Sequence, residues 1–173
     1  MRLPIAMPRP VTRRSSIFAF LGFMLVTWSA ALLGGLASRS SGQMYAVMGK
    51  PFWAPPAWLF GPVWTGLYGL MAVAVWRVWR KRTEMPVAGA CIGYLAHLIF
   101  QAAWSWLFFA QGRADWAMAD ILALWWMILW LTIAFRRIDK PAGLMMWPYL
   151  VWVTFAVLLN AVLWSLNGSV LPR

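Results

Sequence analysis

Apolar residues in this chain fall into five long blocks, each separated from the next by a polar or basic break. The first uncharged run is Ile17–Ala37, followed by Trp58–Trp76, Val87–Gly112, Trp116–Phe135 and Ala142–Asn167. A helix rises about 1.5 Å per residue, so about 20 apolar residues cross a hydrocarbon core about 30 Å thick. The pattern therefore predicts an all-α integral membrane bundle of five transmembrane helices over residues 17–168. The first run exceeds the roughly 7–15 residues of a signal-peptide core, and no cleavage site follows it, so it is expected to stay as a helix. Before it, Met1–Ser16 holds three prolines and four arginines and is expected to be a loose cytoplasmic tail.

The breaks are informative. Those centred on Thr83–Pro86, Arg113–Asp115 and Ile138–Pro141 are short, which predicts antiparallel packing of neighbouring helices. The connection 38–57 is long by comparison and carries Tyr45, Lys50, Pro51, Trp53, Pro55 and Pro56. Proline fixes φ, so the segment should be stiff, and long ordered connections often serve as lids. A belt of interfacial aromatics is the plainer reading; length and proline density favour the lid.

Composition sharpens this picture. The chain is 63% hydrophobic and only 11% charged, against about 25% charged in soluble domains. A lone Cys91 excludes an intrachain disulfide. The net charge of +11 could suggest nucleic acid, but the basic residues cluster at the ends of apolar runs. One side holds Arg2, Arg9, Arg13, Arg14, Arg77, Arg80, Lys81, Arg82, Arg136, Arg137 and Lys140; the other holds Arg39, Lys50, Arg113 and Arg173. Lys and Arg are retained on the cytoplasmic side, so the N-terminus is expected on that side of a cytoplasmic membrane, with no nucleic-acid partner.

No catalytic constellation stands out. Glu84, Asp115 and Asp139 lie beside basic residues in loops, and one His with one Cys cannot assemble a metal site. What remains is polar and aromatic side chains within the bilayer, where polar groups are costly. His97 and Gln101 share a helical face with Trp104, Ser105 and Phe108; Trp152, Ala156, Asn160 and Trp164 form a second ladder, and Trp64 and Tyr68 a third. Such walls suit a large, flat, mostly apolar ligand held by stacking and a few hydrogen bonds. The competing account is helix packing, with amides as interhelical glue. His97 is read as hydrogen-bonded to Gln101 or backbone before haem ligation, and Asp120 as a packing contact before a proton relay.

Two segments resemble a known family. The run Tyr45–Tyr68 (YAVMGKPFWAPPAWLFGPVWTGLY) and the run Pro148–Asn167 (PYLVWVTFAVLLNAVLWSLN) are similar to signatures of the tryptophan-rich sensory protein / translocator protein family, the peripheral-type benzodiazepine receptors. Trp104-Ser105 followed by Phe108-Phe109, Gly34-Gly35 and Asp120 also fit, and the resemblance covers about 17–168. It implies a five-helix bundle, often dimeric, with a ligand pocket beneath the long first loop. Members bind porphyrins, animal relatives bind cholesterol and benzodiazepine-type drugs, and bacterial members are tied to tetrapyrrole and carotenoid pigment regulation. Trp64 and Trp152 match tryptophans implicated in light-dependent porphyrin breakdown, Ala156 and Asn160 match cavity positions, and Trp53 matches a lid position. The resemblance also admits an outer-membrane location.

Two departures stand out. His97 and Gln101 occupy positions where the family usually has Gln and Asn, and no tyrosine stands between Asn160 and Asn167 to complete a sterol motif. The expectation is a membrane sensor that binds a porphyrin-type ligand through Trp53, Trp64, Tyr68, His97, Gln101, Trp104, Trp152, Ala156 and Asn160, with no required cofactor and no metal. The alternative is an accessory subunit docking onto a pigment–protein complex, supported by Trp125, Trp126 and Trp130 on more than one helix face. A porphyrin-degrading activity ranks third. Partners expected are the lipid membrane, the ligand, and a second copy or another membrane complex.

Overall fold

The computed structural model describes residues 12–39 and 41–168; most of the expected tail, with Arg2 and Arg9, lies outside the described residues, as does Arg173. The first helix, α1 (Arg13–Ala37), starts where the Thr12 hydroxyl accepts the Ser15 N–H at 3.2 Å. It therefore includes the last four residues of the expected tail. A short α2 (Ser41–Val47) occupies the long connection, which continues through the prolines to a single 3-10 turn at Ala57–Leu59. That turn leads into α3 (Phe60–Arg80). Next come α4 (Ala88–Ser105), which widens into a π turn at Trp106–Ala110, then α5 (Ala114–Ile138) and α6 (Lys140–Asn167). Five of these helices are long and apolar enough to span a membrane, and among the described residues there is no strand. The protein is an integral membrane bundle.

The five spans close into a ring. α1 packs on α3 and α4, α3 on α6, α6 on α5, and α5 on α4. Sequence neighbours α4–α5 and α5–α6 pack as the short breaks require, whereas α3 and α4 touch lightly because α1 and α6 flank α3. Met71, Val75 and Val78 of α3 meet Tyr94 of α4, Ile128, Leu131 and Phe135 of α5, and Met146 and Tyr149 of α6 in one core. Outward, Phe18, Leu25, Ile99 and Trp126 are exposed, the surface expected of helices solvated by hydrocarbon. Because lipid is as apolar as leucine, cohesion between the helices relies on close packing and interhelical hydrogen bonds. The Thr27–Tyr94 hydroxyl pair at 2.6 Å ties α1 to α4, and Trp76 Nε1 donates to the Ser16 carbonyl at 2.9 Å to tie α3 to α1.

Two turns show how the sequence sets the hairpins. Gly112 has φ 66°, a left-handed conformation that only glycine adopts cheaply, and it reverses the chain between the π turn and α5. Between α5 and α6 the reversal takes one residue, Asp139. Its N–H closes α5 on the Phe135 carbonyl at 2.7 Å, and its Oδ1 caps α6 by accepting from the Ala142 N–H at 2.8 Å. Pro141 follows in the first turn of α6, where the missing donor costs nothing.

Asp139 also accepts two hydrogen bonds from Arg77 of α3, at 3.0 and 3.1 Å. Burial pushes its carboxyl up, but the Arg77 guanidinium and the Ala142 N–H outweigh this and hold it below the ordinary carboxylate range. A group depressed in the folded state stabilises above its unfolded value, about 3.9 for Asp, and that stability is lost as pH falls through the folded value. We expect thermal stability in detergent to fall as pH drops below about 4. Asp139→Asn, which keeps a capping oxygen and loses the charge, should be less stable at neutral pH and show a shallower acid loss. Differential scanning fluorimetry across pH 3–7 checks this; parallel pH curves for both proteins would assign the acid loss to other groups.

Candidate functional site

The ring leaves a cavity of about 420 Å³ at the end of the bundle nearer the long connection. Its walls come from six helices: the glycine-rich end of α1, α2, the start of α3, the end of α4 with its π turn, α5 through Ile121 and Leu124, and α6. The volume lies within the roughly 300–1,000 Å³ typical of small-molecule sites.

Seven of the nine residues singled out from the sequence stand on this wall: Trp64, Tyr68, Gln101, Trp104, Trp152, Ala156 and Asn160. Their rings are set by one another. Trp64 packs on Tyr68 at 5.6 Å and edge-on to Tyr149 at 6.1 Å, and Trp104 stacks on Phe108 at 5.3 Å with an interplanar angle of 16°. Trp152 sits between Phe60 at 5.8 Å and Phe155 at 5.6 Å.

The other two, Trp53 and His97, do not line the cavity. Trp53 is 39% exposed and rests edge-on against Phe155 at 5.8 Å, behind the layer that faces the interior. His97 is fully buried one turn farther from α2, with its Nδ1 against the Tyr94 carbonyl and its ring edge-on to Tyr149 at 5.8 Å. The physical reason lies with Tyr149, whose hydroxyl donates to Gln101 Oε1 at 2.5 Å. Gln101 borders the cavity, and His97 packs on the far side of the Gln101–Tyr149 pair.

Some wall residues were not anticipated as site residues. Gly34 and Gly35 lie on the lining, and a Cβ on Gly34 would come within 3.2 Å of Ser105 Oγ, so bare backbone sets the spacing of α1 from α4 there. Ser41, Gly42 and Tyr45 of α2 form part of the cover. The paired glycines closing the first apolar run were a legible signal; a helix of seven residues inside a proline-rich connection was not.

The cover is tied down at specific points. Tyr45 donates its hydroxyl to the Pro55 carbonyl at 2.9 Å and packs edge-on to Phe60 at 5.7 Å. Partial burial pushes its phenol above the ordinary value, so it stays a donor at neutral pH. At the other end, Asn167 of α6 accepts from the Gly49 N–H at 2.8 Å and donates to the Gly49 carbonyl at 2.9 Å. One side-chain amide thus mimics a backbone partner and clamps the connection onto the last turn of α6.

Electrostatically the cavity is almost apolar, with unspent hydrogen-bonding groups. Asn160 is 2% exposed, and among the described residues neither its Nδ2 nor its Oδ1 has a partner; Trp104 Nε1 is likewise buried and unpaired. Buried polar groups are nearly always satisfied, so two on one cavity wall call for an explanation. The arrangement can stack flat apolar matter between aromatic faces and offer one amide and one indole N–H for orientation. Among the described residues its lining holds no paired acid and base.

The family model described as the TspO/MBR family matches residues 23–165. The chain is 32% identical over 154 residues to a translocator protein of Ovis aries, covering 85% of this chain and 89% of that protein. It is 39% identical over 127 residues to a tryptophan-rich protein TspO of Chlorobaculum tepidum, covering 71% and 78% respectively. It is also 34% identical over 151 residues to a tryptophan-rich sensory protein of Cereibacter sphaeroides, covering 87% and 92%.

Proposed function

The chain belongs to the TspO/MBR family, and from that premise we propose that it is a membrane sensor binding a porphyrin-type tetrapyrrole in the cavity beneath α2. The observation that carries the reading is Asn160, a buried amide with both polar atoms unpaired on an otherwise aromatic wall. A flat macrocycle with polar edges and substituents would occupy the space between Trp64, Trp104 and Trp152 and supply partners for Asn160 and Trp104 Nε1. Stacked aromatic contacts contribute about 0.5–1.5 kcal/mol each beyond their burial, so affinity would come mainly from the rings and orientation from the amide. The ligand is not a required prosthetic group in this reading.

Orientation follows from charge. The start of α1, the end of α3 and the α5–α6 turn carry Arg13, Arg14, Arg77, Arg80, Lys81, Arg82, Arg136, Arg137 and Lys140, and we place this end on the cytoplasmic side of a bacterial inner membrane. The cavity and α2 then face the opposite compartment, and a ligand would enter from there past the Asn167 clamp.

The test is titration of the purified protein with protoporphyrin IX while following tryptophan fluorescence. Saturable quenching is expected, with affinity reduced about tenfold in Trp64→Phe/Trp152→Phe if each lost indole contact is worth somewhat under 1 kcal/mol. Quenching that does not saturate, or is identical in the double variant, would sink the assignment. Illumination of the complex tests the enzymatic variant: loss of porphyrin absorbance should depend on Trp152. A second reading, docking onto a pigment–protein complex, draws on Trp126 and Trp130, which are 65% and 50% exposed on the outer face of α5. A chain that runs only as a monomer or homodimer in mild detergent counts against it.

A further inference from the structure

A second cavity of about 780 Å³ opens at the opposite end of the bundle, between the start of α1, the end of α3 and the Asp139 turn. Four cations line it, Arg13, Arg77, Arg80 and Lys81, against two carboxylates, Glu84 and Asp139. Two of the cations are already committed. Arg77 makes its two hydrogen bonds to Asp139, and Lys81 sits 2.9 and 3.1 Å from the Glu84 oxygens. Among the described residues, Arg13 and Arg80 have no acidic partner, so the crevice has a surplus of two positive charges.

That surplus is held in place. The Arg80 guanidinium lies over the Trp76 ring at 5.0 Å, and Trp76 is itself fixed by its hydrogen bond to the Ser16 carbonyl. Stacking on an indole pre-sets a guanidinium and leaves its N–H fork free to face an oxyanion. The forked donors match the oxygens of a phosphate, the anion that phospholipid headgroups carry. The position also favours a lipid over a soluble anion: Ile17 lines the crevice 48% exposed, and Phe18 and Leu21 continue from it along α1 as bare apolar surface. A phosphate at the arginines would lie where a headgroup lies, with acyl chains running down that face.

We propose that this crevice binds the phosphate headgroup of an acidic phospholipid, gripped between Arg13 and Arg80. The site is separate from the cavity under α2 and does not depend on what that cavity holds.

The test uses full-length, delipidated protein in neutral detergent, with melting temperature and native mass spectrometry as readouts. Phosphatidylglycerol should raise the melting temperature saturably and remain bound, whereas phosphatidylcholine should do neither. In Arg13→Gln/Arg80→Gln the half-saturating lipid concentration should rise about 30-fold, the factor supplied by two interfacial cations, and in each single variant about fivefold. Arg13→Lys/Arg80→Lys, which keeps the charge and loses the fork, should fall between wild type and the double Gln variant, and all variants should keep the helical circular dichroism and cooperative melting of the wild-type bundle. If the double Gln variant does not fold, the single variants carry the same comparison. An equal shift with phosphatidylcholine, a response unchanged in the Gln variants, or full reproduction of the shift by inorganic phosphate or glycerol 3-phosphate would overturn the lipid assignment.

Discussion

Asn160→Leu is expected to make the unliganded protein more stable and its complex with protoporphyrin IX weaker. In the structure Asn160 is buried with neither amide atom paired. Leaving a buried polar group unsatisfied costs about 1–3 kcal/mol, and an apolar side chain of similar size removes that cost. For a chain of this length each kcal/mol corresponds to roughly 2–4 °C in melting temperature, so a rise of a few degrees is predicted. A ligand that satisfies the amide would lose that interaction, weakening binding about tenfold for each 1.4 kcal/mol. The opposite signs are the diagnostic feature. A merely damaged protein would lose stability and affinity together. A lower melting temperature with unchanged porphyrin affinity would mean that Asn160 has partners within the bundle and does not serve the ligand.

The same residue shows what was legible in advance. Hydropathy alone located five spans, because a run of apolar residues about 20 long has few other uses. Helical spacing then put Trp152, Ala156 and Asn160 on one face, and they share the cavity wall. Spacing did not separate His97 from Gln101, which has the same phase, although His97 lies on the far side of the Gln101–Tyr149 pair. Periodicity gives the angle of a side chain about its helix; depth along the axis is decided by what the neighbouring helices insert at that level. The placement of Trp53 outside the lining was illegible for a related reason, since a proline-rich connection has no period from which a direction could be read. The π turn at Trp106–Ala110 was equally invisible, because one wide turn leaves no mark on an all-apolar stretch. The basic crevice between α1 and α3 was half legible: the clustering of its charges marks the orientation, but which of them lack a carboxylate emerges only from the ion-pair geometry.

Gly143→Ala is expected to cause the largest loss of stability of any single added methyl group considered for this bundle. A Cβ there would sit 2.5 Å from Arg136 Cβ, 2.6 Å from its Cα and 2.7 Å from its backbone nitrogen. Two of these atoms are main chain and cannot swing aside as a side-chain tip can. Gly93 offers the contrast, since its nearest neighbours belong to the ring edge of Trp130, which can rotate. Nor can the hairpin slide, because Asp139 closes α5, caps α6 and pairs with Arg77 at once. Overpacking of this kind costs about 1–3 kcal/mol and occasionally more, and here it must also exceed the helix-propensity gain of up to about 1 kcal/mol from replacing glycine. The prediction is a melting temperature lower by several degrees, at roughly 2–4 °C per kcal/mol. Gly66→Ala in α3 is the matched control, because nothing lies within 4 Å of its added methyl, and it should be neutral or stabilising. Opposite signs for the two substitutions would locate the loss in the α5–α6 contact. Equal and small effects would mean that the hairpin opens at little cost, and the Arg77–Asp139 pair would then have to be the weaker element holding the basic end together.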